Sequence, residues 1–114
     1  MRARLISLDY LVPRGNTKLE TFPVVIGHAH DADIRLDDHA LADYHCRIEL
    51  VDDEAVVSDL GTVHGTFVND VRVEREVLRH GDELAAGLTT FLFLTDAGPV
   101  SDERSEELVA CGAA

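Results

Sequence analysis

The sequence has little of several residue types, and each shortage argues against a class of protein. It contains no tryptophan, one lysine and two cysteines. A membrane-spanning helix requires about 20 apolar residues, and no apolar run approaches that length. Cys46 and Cys111 have neither Cys-x-x-Cys nor zinc-finger spacing, so we expect two free thiols in a reducing compartment rather than a disulfide. The 114 residues, nearly half of them apolar, suffice for one domain whose core needs no metal or disulfide.

The charge of the chain is strongly one-sided. Asp and Glu number 22 against 10 Lys and Arg, which gives a formal net charge of −12. Nucleic acids and anionic membrane surfaces are bound through clustered Lys and Arg, so the composition argues against both as partners. The N-terminal residues 1–10 have a short apolar stretch that Asp9 interrupts, and they lack a small-residue cleavage site. We interpret them as the first strand of a cytoplasmic protein.

Short apolar runs separated by turn residues predict an all-β sandwich, because few segments have the 3.6-residue period of a helix. The predicted strands are 4–12, 17–26, 33–36, 45–51, 54–58, 66–68, 71–73, 83–85 and 89–95, with hairpin turns at 13–16 and 52–53. In the 45–58 hairpin, Ile48, Leu50 and one of Val56 and Val57 are predicted to point inward. The composition becomes polar and acidic after residue 96, so residues 97–114 are predicted to be an acidic C-terminal tail, frayed rather than a short helix capped by Ser101.

Four blocks of motif residues follow one another within residues 26–69. They are Ile26-Gly27-His28, Asp33-Ile34-Arg35-Leu36, Ala42-Asp43-Tyr44-His45, and a segment from Asp59 to Asn69 that contains Gly61, Gly65 and Thr66. This order resembles the forkhead-associated (FHA) domain, whose pattern is Gly-Arg, Asp-Ile-x-Leu, Ser-Arg-x-His and Asp-x-x-Ser-x-Asn-Gly-Thr. The resemblance implies that residues 1–96 form an FHA-like sandwich of two antiparallel sheets, with a binding edge made by loops at one end. It also implies supporting roles at that edge for Gly27, His45, Gly65, Thr66 and Asn69, with His45 bracing the loops by hydrogen bonds.

The ligand that the resemblance implies is phosphothreonine, yet all five positions implied to hold it differ here. His28 stands at the arginine position, where it cannot offer the bidentate fork of a guanidinium. Ala42 stands at a serine position and lacks the serine hydroxyl, and Asp43 places a negative charge beside the position of a phosphate of charge about −2. Val63 replaces a threonine and His64 replaces the asparagine that grips the peptide backbone. The pattern therefore indicates a scaffold that is kept and a phosphate site that is lost.

The charge near this edge favours the same interpretation. Residues 27–64 contain two basic and ten acidic residues, a balance of 2 − 10 = −8. We predict a non-catalytic protein interaction module that no longer depends on phosphothreonine and that recognises an unphosphorylated or basic protein or peptide. Its predicted binding edge consists of His28, His30, His39, Ala42, Asp43, Val63 and His64. The alternative is a weak phosphothreonine reader in which protonated His28 and His64 replace the missing groups.

The histidines raise one further alternative, a metal-responsive module. His28, His30, His39 and His64, with Asp31 or Asp43, have the donor chemistry that Zn or Ni prefers, but their spacing matches no metal motif, so we predict neither a metal nor a cofactor. An enzyme is not expected either. Ser58, Asp59 and His64 could form a nucleophile set on paper, but the chain has no Gly-x-Ser-x-Gly elbow and no Gly-rich phosphate loop.

Overall fold

The computed structural model describes residues 2–8 and 16–96, and the regular secondary structure of that part of the chain consists of strands, which turns and loops connect. The strands are β1 (Ala3–Ser7), β2 (Asn16–Leu19), β3 (Val24–Gly27), β4 (Ile34–Arg35), β5 (Cys46–Val51), β6 (Glu54–Asp59), β7 (Thr66–Val68), β8 (Val71–Val73), β9 (Arg75–Leu78), β10 (Glu83–Ala86) and β11 (Thr89–Thr95). Within these ranges there is no helix with the length and apolar character to cross a bilayer. The predicted tail, Cys111 and the turn residues 13–15 lie outside the described residues.

The strands form two sheets, as predicted. One sheet has the order β2-β1-β11-β10-β7-β8 and the other has the order β4-β3-β5-β6-β9. Every pair in the first sheet is antiparallel, whereas the second sheet includes one parallel pair, β3 with β4. That pair is only two residues long, with Ile26 opposite Ile34 and Gly27 opposite Arg35.

The hairpin predictions are confirmed, with changes in the strand limits. β1 pairs with β2, and β5 pairs with β6 through a turn in which Asp52 and Asp53 have φ values of 50° and 67°. The predicted strand 17–26 is divided between β2 in one sheet and β3 in the other, and Pro23, which lacks a backbone donor, lies between them. Strand β9 was not predicted. Three of its four side chains are exposed or half-buried at a sheet edge, so it lacks a clear alternating pattern.

The core lies between the two sheets. Leu5, Phe91 and Phe93 from the first sheet and Ile26 and Ile48 from the second are almost completely buried. Alternation along β5 and β6 places Ile48 and Val57 inward as predicted, but the prediction for Leu50 is wrong. Leu50 lies next to the exposed β5–β6 turn and is itself 41% exposed, although Ala55, opposite it on β6, is fully buried. Cys46 begins β5 as a free, fully buried thiol.

Candidate functional site

Three loops meet at one end of the sandwich: residues 28–33 after β3, residues 36–45 after β4 and residues 60–65 after β6. We call their exposed surface the loop edge. The first two loops are joined through the backbone, because the His28 N–H donates to the Ala42 carbonyl (3.0 Å) and the Ala29 N–H donates to the Asp43 carbonyl (3.1 Å). These contacts fix the backbones of His28, Ala42 and Asp43 beside one another.

Gly27 makes this close approach possible. A Cβ atom at residue 27 would lie 1.9 Å from the Asp43 carbonyl oxygen and 2.7 Å from its carbonyl carbon. Both of those atoms are backbone, so no side-chain rotation could relieve the overlap. The glycine therefore sets the position of Asp43 at the loop edge.

His45 connects the second loop to the third. Its ring is fully buried, Nδ1 accepts a hydrogen bond from the Ala42 N–H (3.1 Å), and Nε2 lies 2.8 Å from the Gly65 carbonyl oxygen. Because Nδ1 is an acceptor, the ring proton belongs on Nε2, which donates to Gly65. The His45 carbonyl also accepts from the Leu60 N–H. This geometry is that of the brace which the FHA resemblance implies.

Asp59 organises the third loop from within. Its carboxylate accepts hydrogen bonds from the hydroxyls of Thr62 and Thr66, both at 2.7 Å, and from the N–H groups of Gly61 and Thr62. Burial raises the pKa of Asp59, but these hydrogen bonds outweigh burial and lower the pKa below its ordinary value of 3.8. The carboxylate is thus committed to the fold. Among the described residues, no hydrogen bond links it to Ser58 or His64, so the nucleophile set considered above is not assembled.

Asp38 anchors the second loop in a similar way. It is 2% exposed and accepts hydrogen bonds from the Thr89 hydroxyl and from the N–H groups of Leu88 and Ala40. Burial raises the pKa of Asp38, and the hydrogen bonds together with the nearby His39 lower it by more. The loop edge is therefore held at the Thr89 end of β11.

The structure places all seven residues of the predicted edge on these three loops. The backbones of His28, Ala42 and Asp43 are directly linked, and the Asp43 side chain is exposed. Val63 and His64 lie on the third loop with exposed side chains, Val63 at 88%. His30 and His39 are exposed on the first and second loops.

Of the five predicted supporting residues, four lie at this end and one does not. Gly27, His45, Gly65 and Thr66 make the contacts described above or adjoin them. Asn69 lies at the other end of β7, where its amide donates to Asp82 and its side-chain oxygen accepts from the Glu83 N–H, both at 3.0 Å. It holds the β7–β8 turn against β10.

The charge balance of residues 27–64 overstates the negative charge at the loop edge. Three of the acidic residues, Asp52, Asp53 and Glu54, lie at the β5–β6 turn, at the opposite end of those strands. The carboxylates of Asp38 and Asp59 accept hydrogen bonds within the fold. The exposed carboxylates of the loop edge are those of Asp31, Asp33, Asp37 and Asp43, and Asp33 accepts a hydrogen bond from the Val25 N–H. The edge is still acidic, but four carboxylates rather than ten define it.

Two residues that contribute to the loop edge were missed by the sequence prediction. The Tyr44 hydroxyl donates to Asp31 (2.7 Å), a hydrogen bond that raises the pKa of Tyr44 above its ordinary 10.0, and the side chain is 48% exposed. Arg72 on β8 donates from Nη2 to the carbonyls of Thr62 (3.4 Å) and Val63 (3.3 Å). Tyr44 occupies a free position of its motif block, and no local signal indicates that β8 passes beside this loop.

His28 does not sit alone at the loop edge. Its Nε2 is 3.7 Å from an Asp37 carboxylate oxygen, with the two side chains 38% and 94% exposed. The described ranges contain no group of three or more His, Cys, Asp or Glu side chains arranged to hold a metal ion. The geometry therefore gives the metal-responsive alternative no support.

Comparison with known proteins connects this arrangement to a family. A model of the FHA domain matches residues 24–87, more than half of the chain. The glycogen accumulation regulator GarA of Mycolicibacterium smegmatis is 40% identical over 77 residues, which cover 68% of this chain and 48% of that protein. The oxoglutarate dehydrogenase inhibitor of Corynebacterium efficiens is 35% identical over 75 residues, covering 66% and 51%. The chain thus spans about half the length of the curated relatives it matches.

Among solved structures, Mycobacterium tuberculosis EmbR in complex with a low affinity phosphopeptide has a TM-score of 0.75 and 26% sequence identity. The match covers 82% of this chain and 24% of that one. The likeness therefore extends over most of this chain and involves a small part of the larger protein.

Proposed function

Because the chain belongs to the FHA domain family, we propose that residues 1–96 form a binding domain whose loop edge no longer depends on phosphothreonine. Family membership confirms the predicted family and sandwich, and it confirms that the matched region is a non-catalytic interaction domain. The proposal concerns the ligand. We infer that the loop edge takes an unphosphorylated segment of a partner protein that carries a basic side chain.

The observation that carries the proposal is the fixed position of Asp43. Its carbonyl accepts from Ala29 and packs on Gly27, so the loop cannot withdraw the exposed carboxylate from the edge without breaking backbone contacts. Each pair of like unit charges about 4 Å apart costs about 1 kcal/mol in water and about 4 kcal/mol at an effective dielectric near 20. For a phosphate of charge about −2, this repulsion is nearly twice as large.

The groups that would offset the repulsion are missing. Ala42 has no hydroxyl, and Val63 presents an apolar side chain that is 88% exposed. Each lost hydrogen bond to a charged group is worth about 1.5 to 3 kcal/mol. His28 carries a full charge only when protonated, and Asp37, 3.7 Å away, competes with any phosphate for that charge. These losses act together against a phosphorylated ligand.

A basic ligand matches what remains at the loop edge. Asp31, Asp37 and Asp43 offer exposed carboxylates to a Lys or Arg side chain, and Val63 offers an apolar contact beside them. The relatives named above are a regulator and an enzyme inhibitor, and both functions are consistent with binding to a protein. We extend only that class to this chain, as a cytoplasmic regulatory domain that acts on a protein partner.

A weak phosphothreonine reader is the second candidate, and Arg72 is the observation in its favour. Arg72 brings a permanent positive charge to the 60–65 loop, and the structural neighbour EmbR binds a low affinity phosphopeptide. In this case protonated His28 and His64 would supply further charge. Phosphopeptide affinity would then be higher at a lower pH, where imidazole rings gain positive charge.

Charge reversal at Asp43 separates the two candidates, because they predict opposite signs. The Asp43→Arg variant should bind an unphosphorylated Lys- and Arg-containing peptide library about tenfold more weakly than the native chain, with the loss reduced at high salt. The matched control is Glu54→Arg, which makes the same charge change at the far end of β6 and should leave binding unchanged. A gain in affinity for the matching phosphothreonine library, without any loss for the unphosphorylated one, would refute the proposal in favour of the weak reader.

A further inference from the structure

A groove lies at the opposite end of the sandwich from the loop edge. It has a volume of about 700 Å³ and is lined by Arg2, Ala3, Arg4, Lys18, Leu19, Glu20, His80, Leu94, Thr95 and Asp96. Thr95 ends β11, whereas Thr89 at the start of β11 contacts the Asp38 anchor of the loop edge. At about 3.4 Å per residue, the two sites are about 20 Å apart along this strand. Nothing in the proposed function uses the groove.

The groove concentrates positive charge in a strongly acidic chain. Arg2, Arg4 and Lys18 are three of the ten Lys and Arg residues, and they stand against two carboxylates, Glu20 and Asp96. Asp96 is already engaged, because its carboxylate accepts from the Arg2 backbone N–H at 3.1 Å. The groove is thus a basic site in a chain of net charge −12.

Two of these cations face each other across paired strands. Arg4 on β1 is directly opposite Lys18 on β2, and both side chains are exposed. Like charges in directly opposed positions destabilise a sheet, and an anion placed between them would reverse that effect. Within the described ranges, neither side chain has a carboxylate within ion-pair distance. The arrangement is therefore one that a carboxylate would stabilise.

The backbone and the neighbouring apolar side chains favour an extended peptide over a small ion. β2 is an edge strand, so one side of it presents backbone groups to which an added strand can bind. Leu94 is opposite Arg4 on the other side and gives the groove an apolar wall. An extended segment with several carboxylates followed by apolar residues would match the edge strand, the cations and the apolar wall.

We propose that the acidic segment 102–107 of this same chain binds in the groove. The segment contains Asp102, Glu103, Arg104, Ser105, Glu106 and Glu107, a net charge of 1 − 4 = −3, and Leu108 and Val109 follow it. The chain leaves the described structure at Asp96, which itself lines the groove. Residues 97–101 can span about 16 Å, and β2 lies two strand spacings, about 10 Å, from β11. Tethering so close to the groove gives the segment a high effective concentration there.

The two cysteines allow a direct test on the full chain. Cys46 is fully buried, and burial raises its pKa to about 12, so a nitroxide maleimide will attach to Cys111 instead. In NMR spectra at low salt, where the Debye length is about 30 Å, the amide signals of Arg4, Lys18 and Leu94 should lose most of their intensity. The signals of the loop edge should keep theirs. At 1 M salt, where the Debye length is about 3 Å, the groove signals should recover several-fold.

Two pairs of substitutions provide the matched comparison. The double variant Arg4→Gln, Lys18→Gln should abolish the broadening at Leu94. The control double variant Arg75→Gln, Arg79→Gln makes the same charge change on and beside the edge strand β9, and it should leave the broadening at Leu94 intact. All four side chains are exposed, so both variants should keep a dispersed spectrum. Equal broadening in the two variants, or no broadening in the native chain, would overturn the proposal.

A mixing experiment separates binding within one chain from association between chains. Spin-labelled chain without isotope label is added to 15N-labelled Cys111→Ser chain. Binding within the chain predicts unchanged groove signals in the mixture, and broadening at Lys18 there would show that the segment binds another copy instead. Peptide binding at the loop edge does not depend on either result, so failure here leaves the proposed function standing.

Discussion

Replacing Asp59 with alanine should lower the free energy of unfolding by about 3 to 5 kcal/mol. The carboxylate accepts four hydrogen bonds, two from backbone N–H groups and two from threonine hydroxyls. The Thr66 hydroxyl is completely buried, so losing its acceptor costs about 1 to 3 kcal/mol. The other three donors are nearer to water, and each costs about 0.5 to 1 kcal/mol.

The same carboxylate gives the stability a predictable dependence on pH. Burial raises the pKa of Asp59, but hydrogen bonds from Thr62, Thr66 and Gly61 outweigh burial and hold the folded-state pKa below the ordinary 3.8. The unfolded chain therefore binds the proton first as the pH falls. The stabilisation is complete above the ordinary value and is lost as the pH falls through the lower folded pKa. Asp59→Asn, which removes the titration, should flatten this part of the pH profile.

Urea unfolding followed by far-UV circular dichroism measures both effects, since the chain has no tryptophan for fluorescence. Asp37→Ala is the matched control, because the Asp37 side chain is 94% exposed and its loss should change stability by less than about 0.5 kcal/mol. A loss of less than about 1 kcal/mol in Asp59→Ala, or an unchanged acid slope in Asp59→Asn, would refute the reasoning.

Three further predictions concern other parts of the fold. Gly27→Ala should lower stability by about 1 to 3 kcal/mol or more in a thermal melt, because its Cβ would overlap the Asp43 carbonyl, and an unchanged Tm would contradict the packing described. Cys46 should resist a maleimide in the native chain and react in urea, as mass spectrometry of peptides would show, since burial raises its pKa to about 12. Rapid native labelling of Cys46 would show that β5 opens. Arg72→Ala should speed hydrogen exchange at the Gly65 amide, because Arg72 packs on that residue, and equal exchange rates would remove its role in holding the loop.

The fold was predictable where local sequence and packing agree. The β5–β6 hairpin follows from alternating apolar residues on either side of Asp52 and Asp53, whose positive φ values suit a tight turn. Strand β9 was not predictable because a mostly polar edge strand has no alternating pattern, and its position depends on pairing with β6. Leu50 shows the limit of alternation, because it follows the buried Ile48 by two residues and is nevertheless 41% exposed.

The candidate site was predictable as a set of positions but not as a set of interactions. The motif order identifies the three loops, yet it does not show that Asp38 and Asp59 turn inward, so counting acidic residues overstated the charge of the edge. Tyr44 donates a hydrogen bond to Asp31 of the neighbouring loop, and Arg72 on β8 donates to the carbonyl of Val63. The first contact joins two loops and the second joins a strand to a loop, and neither has a local sequence signal.

The most direct test of the central claim is binding of a degenerate phosphothreonine peptide library and its unphosphorylated counterpart, at about pH 6 and about pH 7.5. A folded sample that captures peptides without any preference for phosphate, and that selects basic residues, would support the loop edge described here. Capture that requires phosphate, and that is stronger at the lower pH, would contradict it and would show that His28 and His64 have rebuilt a phosphate site.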